Sequence, residues 1–284
     1  MSSSPLRAPT DADAEQVAAL YRETYPVWRP VAADDVLAWL HGTAEMRVLE
    51  LAGRVVGYGD LSVGDDVRLD VAAPGHWDVF FDWLEERARG TEPPRTCFPQ
   101  GHELEQVVDA RGYRHLGSSF TMEIDLSGRP PQPSLPAGID VRPYREQDSD
   151  AVIATMNDAF AENPPWRKVT PETFRTVYAG NRLADPALWR LAWDGDELAG
   201  CVLPDPSRGS DVTLGWIRIL AVRKPWRRRG LGRALVQTAF RDHFERGRRR
   251  VGLGVDADNT GAVSLYQDIG MRAVYRLDDW IKDA

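Results

Sequence analysis

Three short segments of this chain occur twice, in the same order, on either side of the stretch "LSGRPPQPSLPAG" at 126–138. "LRAPTDADAEQVAALY" from Leu6 parallels "VRPYREQDSDAVIATM" from Val141, each a short strand with an Arg, then a helix opened by acidic residues. "VLELAGRVVGYGDL" from Val48 parallels "RLAWDGDELAGCVL" from Arg190, each strand, tight turn and strand, with Gly57 matching Gly200. "DARGYR" from Asp109 parallels "QDIGMR" from Gln267 and matches Gly112 with Gly270. Such a repeated order means that one folding unit has been used twice. Four prolines and two glycines between the copies suit neither a helix nor a paired strand, so the stretch reads as a linker. The expected division is 1–126, a linker at 127–138, and 139–284.

Each half reads strand, helices, hairpin, long strand, helix, strand, helix and final strands. This order predicts an α/β (α+β) architecture, two tandem domains each with a mixed central sheet flanked by helices. The chain has 284 residues, 43% of them apolar and 27% charged, enough for two cores. No window approaches the roughly 18 apolar residues of a membrane span, and "MSSSPLRAPTDADAEQ" lacks the apolar stretch of a signal peptide, so a cytoplasmic protein is expected. Cys97 and Cys201 show no disulfide or zinc pattern and read as reduced core residues, and no metal site is expected. A net charge of −8 argues against nucleic-acid or membrane partners and suits a cationic one such as an amine. Monomer and homodimer both remain open.

Against that acidic background, "AVRKPWRRRGLGRALVQTAF" from Ala221 places six Lys and Arg between Arg223 and Arg233 around Gly230 and Gly232. The preceding "TLGWIRILAV" from Thr213 is a buried strand by composition. Beyond Gly230, Leu231, Leu235 and Ala239 step by four beside Val236, Phe240 and Phe244, an amphipathic helix. A helix start presents unpaired N–H groups and partial positive charge, which attract an anion. Glycine removes β-carbons that would hold a phosphate away, and arginines add charge-assisted bonds. The bland alternative is a simple turn with solvated arginines. A nucleotide P-loop and a dinucleotide fingerprint are excluded, since their Lys–Ser/Thr pair and third glycine are missing.

"RRRGLG", Arg227–Gly232, resembles the acyl-CoA pyrophosphate motif of the GNAT acyltransferase superfamily, Arg/Gln-x-x-Gly-x-Gly/Ala. "VDADNTGAVSLYQDIGM" from Val255 resembles its second signature through Asn259, Ala262, Leu265, Tyr266 and Gly270, with Met271 in the place of Phe. The doubled arrangement is similar to tandem members of that superfamily. The resemblance implies an acyl-CoA-dependent N-acyltransferase, most simply an N-acetyltransferase, moving acetyl from acetyl-CoA to a small-molecule amine by direct attack. It implies that Leu220, Ala221 and Val222 border the pantetheine arm. Arg227, Arg228, Arg229, Gly230, Leu231, Gly232 and Arg233 would hold the phosphates, with Asn259, Ala262 and Tyr266 also at the cosubstrate. Tyr266 would protonate the departing sulfur, its alternative being a packed aromatic.

The base is the missing member, because many such proteins carry Glu where this chain has Trp216. Asp158, Glu162, Asp211 and Asp256 are the candidates, Asp256 lying nearest the motif. In "AFAENPPWRKVTPETF" from Ala159, Trp166 and Phe174 would wall the acceptor site and Glu162 would offer it an anion, core packing being the alternative. His243 reads as lying on the outer end of a helix. The first half lacks the basic loop, retaining only Gly75, and shows Gly101, Leu104 and Val108 where the second has Asn259, Ala262 and Tyr266. It is expected to be noncatalytic. A noncatalytic acyl-CoA-binding or sensing protein is the competing function, against which the retained Tyr266 argues.

Overall fold

The computed structural model describes residues 5–25, 31–41, 45–63, 67–90, 93–163 and 168–283. The chain divides into two compact units. The first comprises Met1–Thr121, Asp256–Asp258 and Val274–Ala284; the second comprises Met122–Val255 and Asn259–Ala273.

In the first unit, β1 (Leu6–Arg7), β2 (Glu45–Leu51), β3 (Arg54–Val63) and β4 (Val67–Ala72) pair antiparallel in turn. Ala52 and Gly53, both at positive φ, make the two-residue turn between β2 and β3. β4 then pairs in parallel with β5 (Pro94–Pro99). The helices are α1 (Ala14–Thr24), α2 (Ala33–Leu40), α3 (Trp77–Arg87) and α4 (Leu104–Ala110). Next comes β6 (Arg114–Asp125), whose residues from Met122 belong to the second unit.

The second unit repeats the plan. β7 (Ile139–Pro143), β8 (Arg190–Asp194), β9 (Glu197–Asp205) and β10 (Leu214–Val222) pair antiparallel, and β10 pairs in parallel with β11 (Arg250–Asp256). Its helices are α5 (Ser149–Ala159), α6 (Pro171–Thr173), which continues as a π-helical turn over Phe174–Ala179, α7 (Leu231–Glu245) and α8 (Thr260–Asp268). The final strand, β12 (Arg272–Ile281), belongs to the first unit from Val274, where it pairs antiparallel with β5. Each unit is thus a mixed sheet flanked by helices, as the element order predicts.

The duplication extends to atoms. Arg7 grips Asp13 with two 2.8 Å bonds, and Arg142 grips Asp148 with two of the same length. In both, the carboxylate also takes a backbone N–H three residues upstream, from Thr10 and from Arg145. Each clamp fixes the turn between the first strand and first helix of its unit. A β-carbon on Gly57 would press into Phe80 of α3, and one on Gly200 would clash with the Ala221 carbonyl at 2.7 Å and lie 3.4 Å from Leu235 of α7. The matched glycines therefore let matched helices approach the sheet. Gly112 and Gly270, at φ +74° and +92°, end α4 and α8.

On one face of the second sheet, Val152, Ile153 and Met156 of α5 form a core with Ile219 and Ala221. Val222, pointing the other way, lies near Gly200 and Gly232 beside α7. Cys97 and Cys201 are buried and unbonded to each other. His243 departs from its expected place: it is 0% exposed, and a β-carbon on Gly215 would collide with its imidazole. The reason is helical phase, since His243 follows Ala239 by one turn on the buried stripe of α7. Among the described residues no helix is long and apolar enough to cross a membrane.

Candidate active site

The site begins where β10 loses a partner. Its pairing with β11 covers only Leu214–Ile217 against Arg250–Leu253, whereas pairing with β9 continues to Val222 opposite Gly200. The register against β9 shifts between Ile217 and Ile219, which makes Arg218 the extra residue of a bulge. Leu220, Ala221 and Val222 therefore border a wedge between two diverging parallel strands.

At the end of that wedge the chain makes a short turn at Lys224–Trp226, passes Arg228 at φ +61°, and enters α7 through Gly230 at φ +86°. No side chain caps α7, and a β-carbon on Gly230 would meet nothing within 4 Å. The first N–H groups of α7 therefore have no side-chain cap among the described residues and carry the partial positive charge of a helix start. A β-carbon on Gly232 would lie 3.4 Å from Leu265 of α8 and 3.9 Å from Val222. Strand end, glycine loop and second-signature helix converge there.

The cationic side chains divide by task. Arg227 is exposed but folds back on the chain, Nε donating to the Val222 carbonyl (3.0 Å) and Nη2 to that of Ala159 (2.6 Å). Arg223 pairs with Asp158 (3.0 Å) and lies over Trp226, Lys224 pairs with Glu162 (2.6 Å), and Arg233 pairs with Asp268 (3.1 Å). Arg228 and Arg229 are exposed and make no ion pair among the described residues.

Asn259 caps α8, its side-chain oxygen accepting from the Ala262 N–H at 3.2 Å. Tyr266, one turn beyond Ala262, is 6% exposed, and burial pushes its phenol up to about 12. It holds its proton at neutral pH, as a donor must. Asp256 ends β11 and is exposed. Glu162 is exposed, and its bond to Lys224 holds the carboxyl below its usual range. Phe174 is buried among Tyr144, Tyr178 and Trp189. Trp166 lies outside the described residues. Asp211 is bonded by the Thr213 N–H and hydroxyl and lies 3.6 Å from Arg250.

Sequence reasoning missed two features here. Trp216 lies against β11, its ring 3.0 Å from where a β-carbon on Gly252 would stand, and Arg208 stacks 4.4 Å from the ring. Beside it, Asp205 and Arg218 form an ion pair at 2.6 Å. Gly252 in "VGLGV" marks a close approach, but not of which side chain.

The same place in the first unit is filled. Only residues 73–76 separate β4 from α3, against 223–230 between β10 and α7. The Tyr25 hydroxyl donates to the Val71 carbonyl at 2.6 Å, and the His102 ring packs between Tyr25, Trp77 and Phe98.

Residues 153–271 match the Acetyltransferase (GNAT) family. A mycothiol acetyltransferase of Geodermatophilus obscurus is 33% identical over 95% of this chain and 96% of its own length. One from Beutenbergia cavernae is 32% identical over 80% of each. Among solved structures, a GCN5-related N-acetyltransferase from Sphaerobacter thermophilus superposes with a TM-score of 0.83 at 27% identity, covering 98% of this chain and 94% of its own. A tandem GNAT protein of the clavulanic acid biosynthesis pathway, 17% identical, shares the fold at a TM-score of 0.73 over 97% and 98%. With its doubled sheet, glycine-led helix start and buried tyrosine, the chain belongs to the GNAT acetyltransferase family and is an N-acetyltransferase.

Proposed function

We propose that the second unit carries the reaction, moving acetyl from acetyl-CoA to the amine of a small molecule without a metal ion. The observation that carries this is the convergence at Gly232 of the unpaired edge of β10, the uncapped start of α7 and the helix of Tyr266. The first N–H groups of α7 take the pyrophosphate, and Arg228 and Arg229 supply its counter-charge. Backbone at Leu220–Val222 on the side that β11 leaves unpaired, apart from the Val222 carbonyl held by Arg227, bonds the pantetheine amides, beside Asn259 and Ala262. Arg227 acts mainly by tying the Val222 carbonyl to α5, which keeps the loop in shape.

The amine attacks the acetyl carbon, and collapse of the adduct expels sulfur. Tyr266, un-ionised in its dry setting, donates to that sulfur. The mycothiol acetyltransferase relatives make a mycothiol-type amine the first acceptor to try, with Glu162 near its entry; Phe174, packed among Tyr144, Tyr178 and Trp189, supports that region from the core. Thiol release from acetyl-CoA across a panel of small amines tests this. Release with a mycothiol-type amine well above that with the others is expected; equal, slow release with all of them rejects it as the acceptor.

A further inference from the structure

The second unit holds an ion pair that cosubstrate binding does not use. Asp205, the last residue of β9, is 3% exposed. Arg218 of β10 donates Nε to its Oδ2 at 2.7 Å, places Nη2 2.6 Å from the same oxygen, and donates Nη1 to the Val177 carbonyl at 3.2 Å. Asp205 is also the direct cross-strand partner of Trp216. Partners on antiparallel strands project from the same face, with β-carbons about 5 Å apart. Trp216 holds the position where a proton-accepting Glu is expected. Two buried carboxylates lie on that face: Glu123 of β6, beside Gly252 and bonded by Arg250 at 2.7 Å, and Asp205, one strand to the side of Trp216.

The other candidates are differently placed. Asp158 and Glu162 are held by Arg223 and Lys224 of the basic loop, Asp211 is turned into its own loop by Thr213, and Asp256 is exposed. We infer that Asp205 is the carboxylate that takes the proton of the acceptor amine, an inference that rests on the amine acceptor proposed above. Both guanidinium contacts fall on Oδ2, so Oδ1 receives the proton. The ammonium N–H bond breaks with its electron pair left on nitrogen, and that pair forms the bond to the acetyl carbon. The C–S bond then breaks with its pair on sulfur, which is protonated by Tyr266. The second proton leaving nitrogen restores the phenol, and the Asp205 proton passes to solvent.

Burial raises the Asp205 carboxyl, opposed by Arg218, so it is a stronger base than a solvated carboxylate while the pair favours its charged form. Facing it is Arg218 from β10; Tyr178, from the turn after α6, feels the same guanidinium, its phenol raised by burial and lowered by Arg218. Arg208 is stacked on the neighbouring Trp216.

The test uses full-length protein. Asp205→Asn keeps an acceptor for Arg218, so folding is preserved, and melting curves check this. Turnover in thiol release should fall about 10²–10⁴-fold, with the KM for acetyl-CoA unchanged and the acid limb of the pH profile lost. Adding Trp216→Glu returns a carboxylate to the adjacent strand and should restore part of the rate with an acid limb. Arg218→Met, which removes the tether to Val177 but keeps the carboxylate, should retain an acid limb, shifted upward. Unchanged turnover and acid limb in Asp205→Asn would overturn the inference. Equal losses in Asp205→Asn and Arg218→Met, with both acid limbs intact, would also overturn it and leave the pair a tether. If no amine in the panel supports release by the wild type, the acceptor proposal fails. The ratio is then read from slow hydrolysis of acetyl-CoA, where water gives up the proton, and the same outcomes decide.

Discussion

Two residues of the second unit carry the proposed reaction most directly. Tyr266 is buried in α8 with its proton held firmly. Tyr266→Phe keeps the ring and should leave acetyl-CoA affinity near wild type while turnover falls about 10²–10⁴-fold. Steady-state rates beside a binding titration check this; full activity with an unchanged pH profile would return Tyr266 to the core. Gly230 and Gly232 look alike in sequence but differ in structure. Gly230 sits at φ +86°, where any other L-residue costs about 1–2 kcal/mol, and its open side faces the expected phosphate. Gly230→Val should still fold and bind acetyl-CoA at least about tenfold more weakly, a loss of about 1.4 kcal/mol. Gly232→Ala would place a β-carbon in ordinary contact with Leu265, so calorimetry should find its affinity near wild type. Equal effects at the two positions would dissolve the distinction.

Between elements, the packing of α7 on β10 contains a titratable fault. His243 is wedged against Gly215 with neither ring nitrogen hydrogen-bonded, and burial, aided by Arg248 and Arg246, pulls it down to about 4. The folded state therefore keeps the ring neutral, while the unfolded chain protonates it below about 6.5. Its contribution to stability is present above that pH and is lost as the pH falls from 6.5 towards 4. From pH 7 to pH 5 this amounts to about 2 kcal/mol. Denaturant unfolding at both values should show His243→Leu losing less stability on acidification than wild type, by that amount. Identical losses would mean that the ring is protonated in place. The order of elements along the chain and the helix start at Gly230 were legible in sequence, because each is set by local periodicity or turn chemistry. The burial of His243 was not, since it depends on a glycine in β10 that accepts an imidazole.

For the whole molecule, the two units share topology but not the cosubstrate wedge. In the first, the Tyr25 hydroxyl takes the Val71 carbonyl and aromatic rings occupy the space beyond it. Calorimetry should therefore find one acetyl-CoA per chain, and Gly230→Val should weaken that one site. A second site of similar affinity would show that the first unit still binds. The duplication, the mixed sheets, the glycine-led helix start and the family resemblance followed from sequence, because each rests on residues close together in the chain. Side-chain allegiance across strands did not. Asp205 and Arg218 are thirteen positions apart, and their pairing depends on a one-residue bulge that no local pattern announces. Likewise, β12 joins the first unit only from Val274 onward, because the free edge of β5 that it completes exists only once that sheet has formed.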